Sequence, residues 1–288
     1  MKNKINRFIY TAFLATTLVG CSDFFEVTDK GSISPDIFPT TLDQVDLMLN
    51  ASYAGSHTKG LYTFYWFAMG VYLYDNTSNT DATYDSRANQ MSNNTDTDCE
   101  YNAQTYCDVL RWIELSNAAL EGIADYREHY AVENEAAALD FMKGQALFEI
   151  ESKKDGLGLP LIDKVPKALD EMMPQRATTE QTWDFVIETL KDAISLLKGH
   201  NSDPTRATEW AAKGLLAKVY MQARRPVEAK PILEDIINNS GKKLVPYSVY
   251  SNMFYADEAY EFNEESLYEI DMTMNDKQNG PWGGFTTG

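Results

Sequence analysis

The feature that most restricts the fold of this chain is a 34-residue segment, Thr208–Gly241, with the pattern of two helices joined by a turn. The residues that set this pattern are Leu216, Ala217, Tyr220, Ala229 and Leu233. Small Ala217 and Ala229 let two helices approach closely, while Tyr220 and Leu233 are expected to fill the groove beside them. Such a unit cannot bury its apolar face alone, so further helices must pack against it.

Two prolines fall in the second helix of this unit. Pro226 suits a helix start, because the first N–H groups of a helix have no partner to lose. Pro231 lies about one turn further in, where a proline removes a backbone hydrogen bond. The sequence therefore predicts a kink or a late start in the second helix.

Helical periodicity continues upstream of this unit. Apolar residues recur at three- and four-residue steps in the following set: Tyr106, Val109, Leu110, Ile113, Leu120 and Ile123. A short helix is predicted near 41–53, and an Ala-rich, central helix over 135–151. Thr178 and Gln181 fit a capping box that opens a further helix, which Gly199 ends.

Three stretches lack this periodicity. Residues 75–108 are rich in Asn, Asp, Thr and Ser, which predicts a long surface excursion. Gly156–Ile162 contains a proline and is expected to run extended. Lys243–Ile270 carries aromatic and β-branched residues in short runs, which predict a small β-hairpin. The fold class predicted is mostly all-α, with long irregular loops and one small hairpin.

The charge of the chain excludes one class of function. Its 288 residues include 43 acids and 25 bases, and the formal net charge is −18. General nucleic-acid binding needs a Lys or Arg for each phosphate contact, so a nucleic-acid partner is not expected. With 44% apolar and 12% aromatic residues, the chain is globular rather than disordered.

The first residues resemble a bacterial lipoprotein signal. Lys2, Lys4 and Arg7 precede an apolar run from Phe8 to Val19, too short for a permanent span, and Gly20-Cys21 follows. Cys21 is therefore predicted to carry lipid and to anchor the protein to a membrane without spanning it. The alternative is an ordinary signal peptide with an incidental cysteine. The predicted organisation is a signal over 1–20, a tether over 21–40 and a domain over 41–288.

The other two cysteines are Cys99 and Cys107. An exported protein meets an oxidising compartment in which a disulfide is permitted. On one helix these residues would lie about 12 Å apart, beyond the roughly 7 Å limit for a bridge. A disulfide therefore requires Cys99 to lie in a turn before the helix, and both the bridge and the free thiols remain open.

Several blocks, taken in order, resemble the SusD/RagB family of surface lipoproteins from Bacteroidetes-type bacteria. Thr208–Gly241 itself resembles a tetratricopeptide unit. The other matching blocks are Ser22-Asp23-Phe24-Phe25, Phe141-Met142-Lys143, Gly158-Leu159-Pro160-Leu161-Ile162, Arg176-Ala177-Thr178, Arg206-Ala207-Thr208, and Phe254 with Glu265-Ser266-Leu267-Tyr268-Glu269-Ile270. Lys143 stands where the family usually has Arg, and Asp155-Gly156 replaces its Tyr-Gly. Because family members continue through a further helical block, the chain is expected to lack that C-terminal part.

The resemblance implies a tetratricopeptide-like helical scaffold on the outer face of the outer membrane. Proteins of that family cover a TonB-dependent porin of the SusC type and capture oligosaccharides, or peptides in some relatives, for import. This function breaks no bond, so the resemblance implies no catalytic residue and no cofactor.

The sequence offers a candidate binding region for a sugar, which needs flat rings for its C–H face and short polar groups for its hydroxyls. Two sets of residues provide this chemistry: Trp66, Tyr72, Tyr74, Asp75, Asn76 and Asn79, and separately Trp282. The structural alternative is that Trp66 and Tyr72 pack in the core, that the polar run is a solvated loop and that Trp282 belongs to a disordered tail.

Metal binding and catalysis have weaker support. Oxygen-bearing residues alternate over 75–81 and over 94–100, as in Ca²⁺ loops, but the first run has Thr80 where such a loop needs Gly. A solvated acidic loop explains both runs better. The His pair of zinc hydrolases, the nucleophile elbow and the phosphate loop are missing from the sequence. Two alternatives to a nutrient-binding lipoprotein remain: a protein–protein scaffold and, with less support, a surface glycosidase.

Overall fold

The fold was analysed in a computed structural model of the 288-residue chain. The structure describes the following residues: 38–58, 61–62, 100–124, 144, 158–199, 205–254 and 258–270. By internal contacts the chain divides into Met1–Phe38 and Pro39–Gly288, and every described residue except Phe38 belongs to the second unit.

The described part of this unit is mostly α-helical, as predicted. Its helices are α1 (Leu42–Ala54), α2 (Glu100–Ala124), α3 (Thr179–Leu197), α4 (Glu209–Gln222), α5 (Pro226–Asn239) and the one-turn α6 (Tyr247–Tyr250). Short 3₁₀ turns cover Gly55–His57, Ser251–Phe254 and Glu258–Tyr260. Helix α1 packs on α2, α3 packs on α4, and α4 packs on α5. None of the described helices is both long and apolar enough to span a bilayer.

Helix α3 begins at the predicted capping box. The Thr178 hydroxyl accepts a bond from the Gln181 backbone N–H at 3.2 Å, and the Gln181 side chain accepts one from Thr178 at 2.9 Å. The buried face of the helix consists of Trp183, Val186, Ile187, Leu190, Ala193 and Leu197. The helix ends at Leu197, and Gly199 follows with φ of 73°. This capped amphipathic helix confirms the sequence prediction.

Helices α4 and α5 form the predicted helix–turn–helix unit. Ala217, Tyr220 and Ala229 are buried, which is consistent with close packing of the two helices. The prediction for Leu233 is wrong, because this side chain is 42% exposed and Ile236 is buried instead. Lys213 on α4 contacts both Glu209 one turn earlier and Asp235 on α5, the latter at 2.6 Å.

The two prolines of α5 do not delay the helix. The helix begins at Pro226, so the prediction of a late start is wrong. Pro231 lies inside the helix. Pro231 has no N–H to give to the carbonyl of Val227, one turn earlier. Val227 is 81% exposed as a residue, which favours solvation of that carbonyl by water.

Helix α2 carries the predicted stripe, with Val109, Ile113 and Ile123 fully buried. It also buries Trp112, whose indole N–H donates to the Ser52 carbonyl of α1 at 2.7 Å. The predicted excursion over 75–108 is too long, because α2 already begins at Glu100. One buried polar side chain of this part of the helix has a local partner, because Asp108 accepts a bond from Gln104 at 2.8 Å.

The Gly-x-Pro-Leu-Ile block joins the helices through a non-helical segment. Leu159 accepts a backbone bond from Ala177 at 2.9 Å, and Pro160 pairs with Arg176 in an isolated antiparallel bridge. Gly158 has a φ of 71°, so it is not extended, whereas the bridge at Pro160 agrees with the extended run predicted for Gly156–Ile162. Of the helix predicted over 135–151, only Gly144 is described, and it is helical and buried.

The hairpin predicted in Lys243–Ile270 is wrong for the described residues of that stretch, which form α6 and two 3₁₀ turns instead. One backbone bond joins its two halves, from Lys243 to Glu264. Elsewhere side chains take the place of strand partners: the Val245 N–H donates to the Glu265 carboxylate, and the Phe262 N–H donates to the Glu269 carboxylate. Pro246 then precedes α6, and its fixed φ favours this helical turn over a continued strand.

Candidate ligand-binding site

The ligand contacts predicted from the sequence lie outside the described residues. These are Trp66, Tyr72, Tyr74, Asp75, Asn76, Asn79 and Trp282, together with the lipidation residue Cys21. They stay predictions, as does the Ca²⁺ run over 75–81. Within the described ranges, no group of three or more His, Cys, Asp or Glu side chains could hold a metal ion. Cys107 is an exposed free thiol on α2, and Cys99 lies outside the described residues.

The structure reveals an exposed aromatic ridge, formed by Tyr247, Tyr250 and Phe254. Tyr247 is 92% exposed, Phe254 74% and Tyr250 47%. The rings of Tyr250 and Phe254 meet edge to face, with centroids 5.3 Å apart and planes at 76°. Spacings of three and four residues place side chains on one side of a helical segment. The ridge therefore offers ring surface to solvent.

Polar groups lie within the ridge segment and shortly after it along the chain. Asn252 donates to the Tyr260 hydroxyl at 3.1 Å, and Asn263 donates to the Tyr260 carbonyl at 3.0 Å. Rings beside amide and hydroxyl groups are the combination that a sugar needs. This ridge was not predicted from the sequence, because the segment was assigned to a hairpin. The signal was present, since the 247–250–254 spacing is helical rather than alternating.

A small cleft of about 150 Å³ opens elsewhere in the described residues. Its lining comes from the end of α1 with its 3₁₀ turn, from the stretch before α4 and from the stretch after the last 3₁₀ turn: Tyr53, Ser56, His57, Thr205, Arg206, Tyr268 and Ile270. None of these side chains is acidic. In a chain with a net charge of −18, this cleft is locally positive or neutral.

Two contacts hold the Arg206 side chain in the lining of this cleft. It donates to the Asn50 side-chain oxygen at 2.6 Å, and its guanidinium carbon lies 4.7 Å from the centre of the Tyr53 ring. The Tyr53 hydroxyl in turn accepts the Ala207 backbone N–H at 2.8 Å. Arginine stacked on an aromatic face and bonded at one edge is well oriented for recognising a planar group.

Tyr268 adds a hydroxyl to the cleft lining. Burial raises the pKa of its phenol well above the usual range, Tyr53 adds to this rise, and Arg206 opposes it. Tyr268 therefore keeps its proton throughout the physiological range. With Ser56 and Thr205, the cleft presents hydroxyls beside one guanidinium, which suits binding of an oxygen-rich ligand.

The sequence of this chain is similar to those of known proteins. Residues 33–221 match the profile of the SusD-like family, which is described as starch-binding and associating with the outer membrane. A SusD-like protein of Bacteroides ovatus is 41% identical over 61 residues, which are 21% of this chain and 11% of that protein.

Solved structures agree in fold. A SusD superfamily protein of Bacteroides thetaiotaomicron superposes with a TM-score of 0.68 at 21% identity, covering 84% of this chain and 55% of that one. A laminarin-binding SusD-like protein superposes with a TM-score of 0.66 at 17% identity, covering 78% of this chain and 50% of that one. This chain thus spans about half of the length of these structures. Since the family profile matches more than half of its residues, the chain belongs to the SusD-like family.

Proposed function

We propose that this protein binds carbohydrate at the cell surface without chemical change and passes it to a SusC-type, TonB-dependent porin of the outer membrane. The observation that carries the proposal is the exposed aromatic ridge in a member of a family described as starch-binding. Exposed aromatic side chains grouped on one segment are typical of a surface that binds a ligand or a partner.

The ridge supplies the part of a sugar site that is apolar. A pyranose ring has one or two C–H faces, and covering them on Tyr247, Tyr250 or Phe254 removes apolar surface from water. Because Tyr250 and Phe254 stand nearly perpendicular, one ring serves as floor and the other as wall. The rings and polar groups predicted from the sequence, Trp66 to Asn79 and Trp282, are proposed as further contacts.

Two glucans are the first ligands to test. The family is described as starch-binding, and one solved relative is described as laminarin-binding. Both are neutral, so they suit a site that is built on rings and amides. Peptides are the other ligand class that the resemblance implies, and a peptide panel belongs in the same experiment.

Attachment to the membrane is proposed to depend on lipid at Cys21. The chain has a net charge of −18, so an anionic leaflet would repel rather than attract it. Acyl chains contribute about 0.8 kcal/mol for each buried CH₂ group, and two or more chains give a stable anchor. This anchor would hold the helical unit beside its porin.

A second role, docking on another protein, is favoured by the outer face of the helix pair. Exposed aliphatic side chains lie along α5 and at the end of α4: Met221 (55% exposed), Val227 (81%), Leu233 (42%) and Ile237 (74%). Such a face suits a partner protein better than a sugar, since it has no rings. We assign it to the porin contact, so that carbohydrate capture and docking use separate surfaces.

The ridge is tested by replacing Phe254 with Ala and measuring migration in gels that contain starch or laminarin. If the ring is a sugar platform, F254A weakens glucan affinity by about 1–3 kcal/mol and leaves the melting temperature nearly unchanged. The matched control is Leu169→Ala, which truncates an apolar side chain of equal exposure, 74%, outside the ridge. Equal migration of wild type and F254A would show that the Phe254 ring of the ridge does not bind glucan.

A further inference from the structure

The cleft around Arg206 differs in charge from the rest of the molecule. Acids outnumber bases by 43 to 25 in the chain, yet none of the described lining side chains is a carboxylate. A neutral sugar needs no such cation. A ligand that carries a negative charge does, because the overall charge of the protein opposes its binding.

Some basic residues of the described part are neutralised by an acid, and Arg206 is not among them. Arg225 pairs with Asp184 at 2.6 Å, and Lys191 pairs with Glu188 at 2.8 Å. Arg206 makes no ion pair with any described residue, and its contacts are the uncharged Asn50 and Tyr53. A guanidinium has five N–H donors, and Asn50 takes one of them. Two of the remaining N–H groups can donate parallel hydrogen bonds to a planar anion.

The support behind Arg206 is already in place before any ligand arrives. Tyr53 stacks against the guanidinium and is itself fixed by the Ala207 N–H at 2.8 Å. The hydroxyl of Ser56, which also lines the cleft, donates to the Tyr53 carbonyl at 2.8 Å. A cation held in this way loses little side-chain freedom on binding, which favours affinity.

The size of the cleft limits its occupant. Its volume of about 150 Å³ is below the roughly 300–1,000 Å³ of sites for larger organic ligands. Hydroxyls of Thr205 and Tyr268 and the aliphatic side chain of Ile270 complete the lining. This combination fits one sugar ring that bears a carboxylate.

We propose that this cleft binds a uronic-acid residue of an acidic glycan, with the Arg206 guanidinium holding the sugar carboxylate. The inference rests on the proposed carbohydrate-binding function and adds a second, charge-selective subsite to it. The ridge then covers neutral ring faces, while the cleft selects chains that carry acidic sugars.

The test is calorimetric titration of the full chain with sodium glucuronate, with methyl glucoside as the neutral sugar and sodium acetate as the bare carboxylate. We expect glucuronate to bind more tightly than either, and added salt to weaken it. Arg206→Gln should lower glucuronate affinity at least tenfold. Arg206→Lys, which keeps the charge but loses the fork, should fall between the two.

Arg224→Gln is the matched control, since it removes an equal charge from an exposed residue of the α4–α5 turn. Unfolding midpoints of each variant show that it is folded, and the Lys variant keeps the test valid if the Gln variant does not fold. Unchanged glucuronate affinity in folded R206Q or R206K would overturn the proposal, and acetate binding as tight as glucuronate would overturn its sugar part.

Laminarin binding separates the two claims. If laminarin binds and glucuronate does not, the charged subsite is wrong while the proposed function stands. If neither binds, both are wrong. If glucuronate binds through Arg206 and laminarin does not, the acidic subsite stands and the neutral-glucan ridge is wrong.

Discussion

Gly158 occupies a backbone conformation and a space that exclude a side chain. Its φ is +71°, and a Cβ atom there would overlap the Ala177 carbonyl oxygen. That contact lies beside the bond from Ala177 to Leu159, which joins the segment before α3 to the helix start. The glycine of the Gly-x-Pro-Leu-Ile block is therefore needed for close backbone approach, which the sequence alone did not indicate.

Replacing Gly158 with Ala is predicted to destabilise the protein more than the same change at Gly199. Gly199 has φ of +73° but open space around its Cβ position, so it shows the cost of the conformation alone, about 1–2 kcal/mol. Gly158→Ala adds a steric clash, for which we expect about 1–3 kcal/mol more. Urea unfolding of both variants measures the difference, and equal losses would contradict the assigned contact.

Glu171 gives the protein a specific response to acid. Its carboxylate accepts bonds from Lys164 and from the Lys167 backbone N–H, at 2.5 and 2.8 Å. The bond from Lys164 has the largest effect and the bond from Lys167 the next largest, and the pKa of Glu171 falls from 4.5 to about 2. A lowered pKa in the folded state favours folding above the unfolded value, and this contribution disappears as the pH falls through about 2.

We therefore predict that Glu171→Gln is less stable than wild type at pH 7 and that the gap closes between about pH 4.5 and pH 2. Urea midpoints at several pH values measure the gap. Asp170→Asn is the control, because it removes a neighbouring exposed carboxylate for which the structure shows no bond. A gap for E171Q that stays constant down to pH 2 would refute the role of these bonds.

At the residue scale, contacts between residues far apart along the chain could not be predicted from the sequence. The bond from Ala207 to Tyr53 joins residues 154 positions apart, and it orients the stack beneath Arg206. Periodicity places Tyr53 on a helix and Arg206 before another, but it does not say which helices meet. The cleft therefore emerged only from the folded structure.

At the level of elements, patterns within a few residues predicted the structure correctly, whereas features that depend on contacts between elements were predicted wrongly. The capping box of Thr178 and Gln181 acts within four residues, so its pattern is visible in the sequence and is confirmed. The hairpin prediction failed because the carboxylates of Glu265 and Glu269 accept backbone hydrogen bonds that strand partners would otherwise accept. Leu233 was misplaced because a position on α5 is buried only where another element covers it.

Lys213 links α4 to α5 through its ion pair with Asp235. Burial alone would lower the pKa of Lys213, but its bonds to Asp235 and Glu209 outweigh burial and raise it. The ammonium group also lies 4.3 Å from the centre of the Trp210 ring. Lys213 and Glu209 are only 16% and 13% exposed, so removal of either leaves the other charge poorly solvated.

Lys213→Met is predicted to destabilise the protein by about 1–3 kcal/mol, since it leaves the Glu209 carboxylate without its partner. Lys230→Met is the control on the neighbouring helix, because its pair with Glu234 is long, 3.7 Å, and exposed. That change should cost less than about 0.5 kcal/mol. Thermal unfolding of both variants decides, and a similar small loss in each would exclude Lys213 as the link between the helices.

The whole molecule combines a predicted lipid anchor with a helical unit that exposes rings on one segment and aliphatic side chains on another. Sequence reasoning identified the helical class and the family, because both depend on local blocks and their order. The predicted binding residues, Trp66 to Asn79 and Trp282, were chosen by composition, and they stay predictions. The ridge and the cleft give the described residues two surfaces with distinct chemistry.

The most direct test of the central claim is calorimetric titration of the purified chain with starch and laminarin oligosaccharides, followed by chromatography of the recovered glycan. We predict saturable binding, with each oligosaccharide recovered at its original length. Cleavage of the glycan, or no binding across the panel, would contradict passive carbohydrate capture.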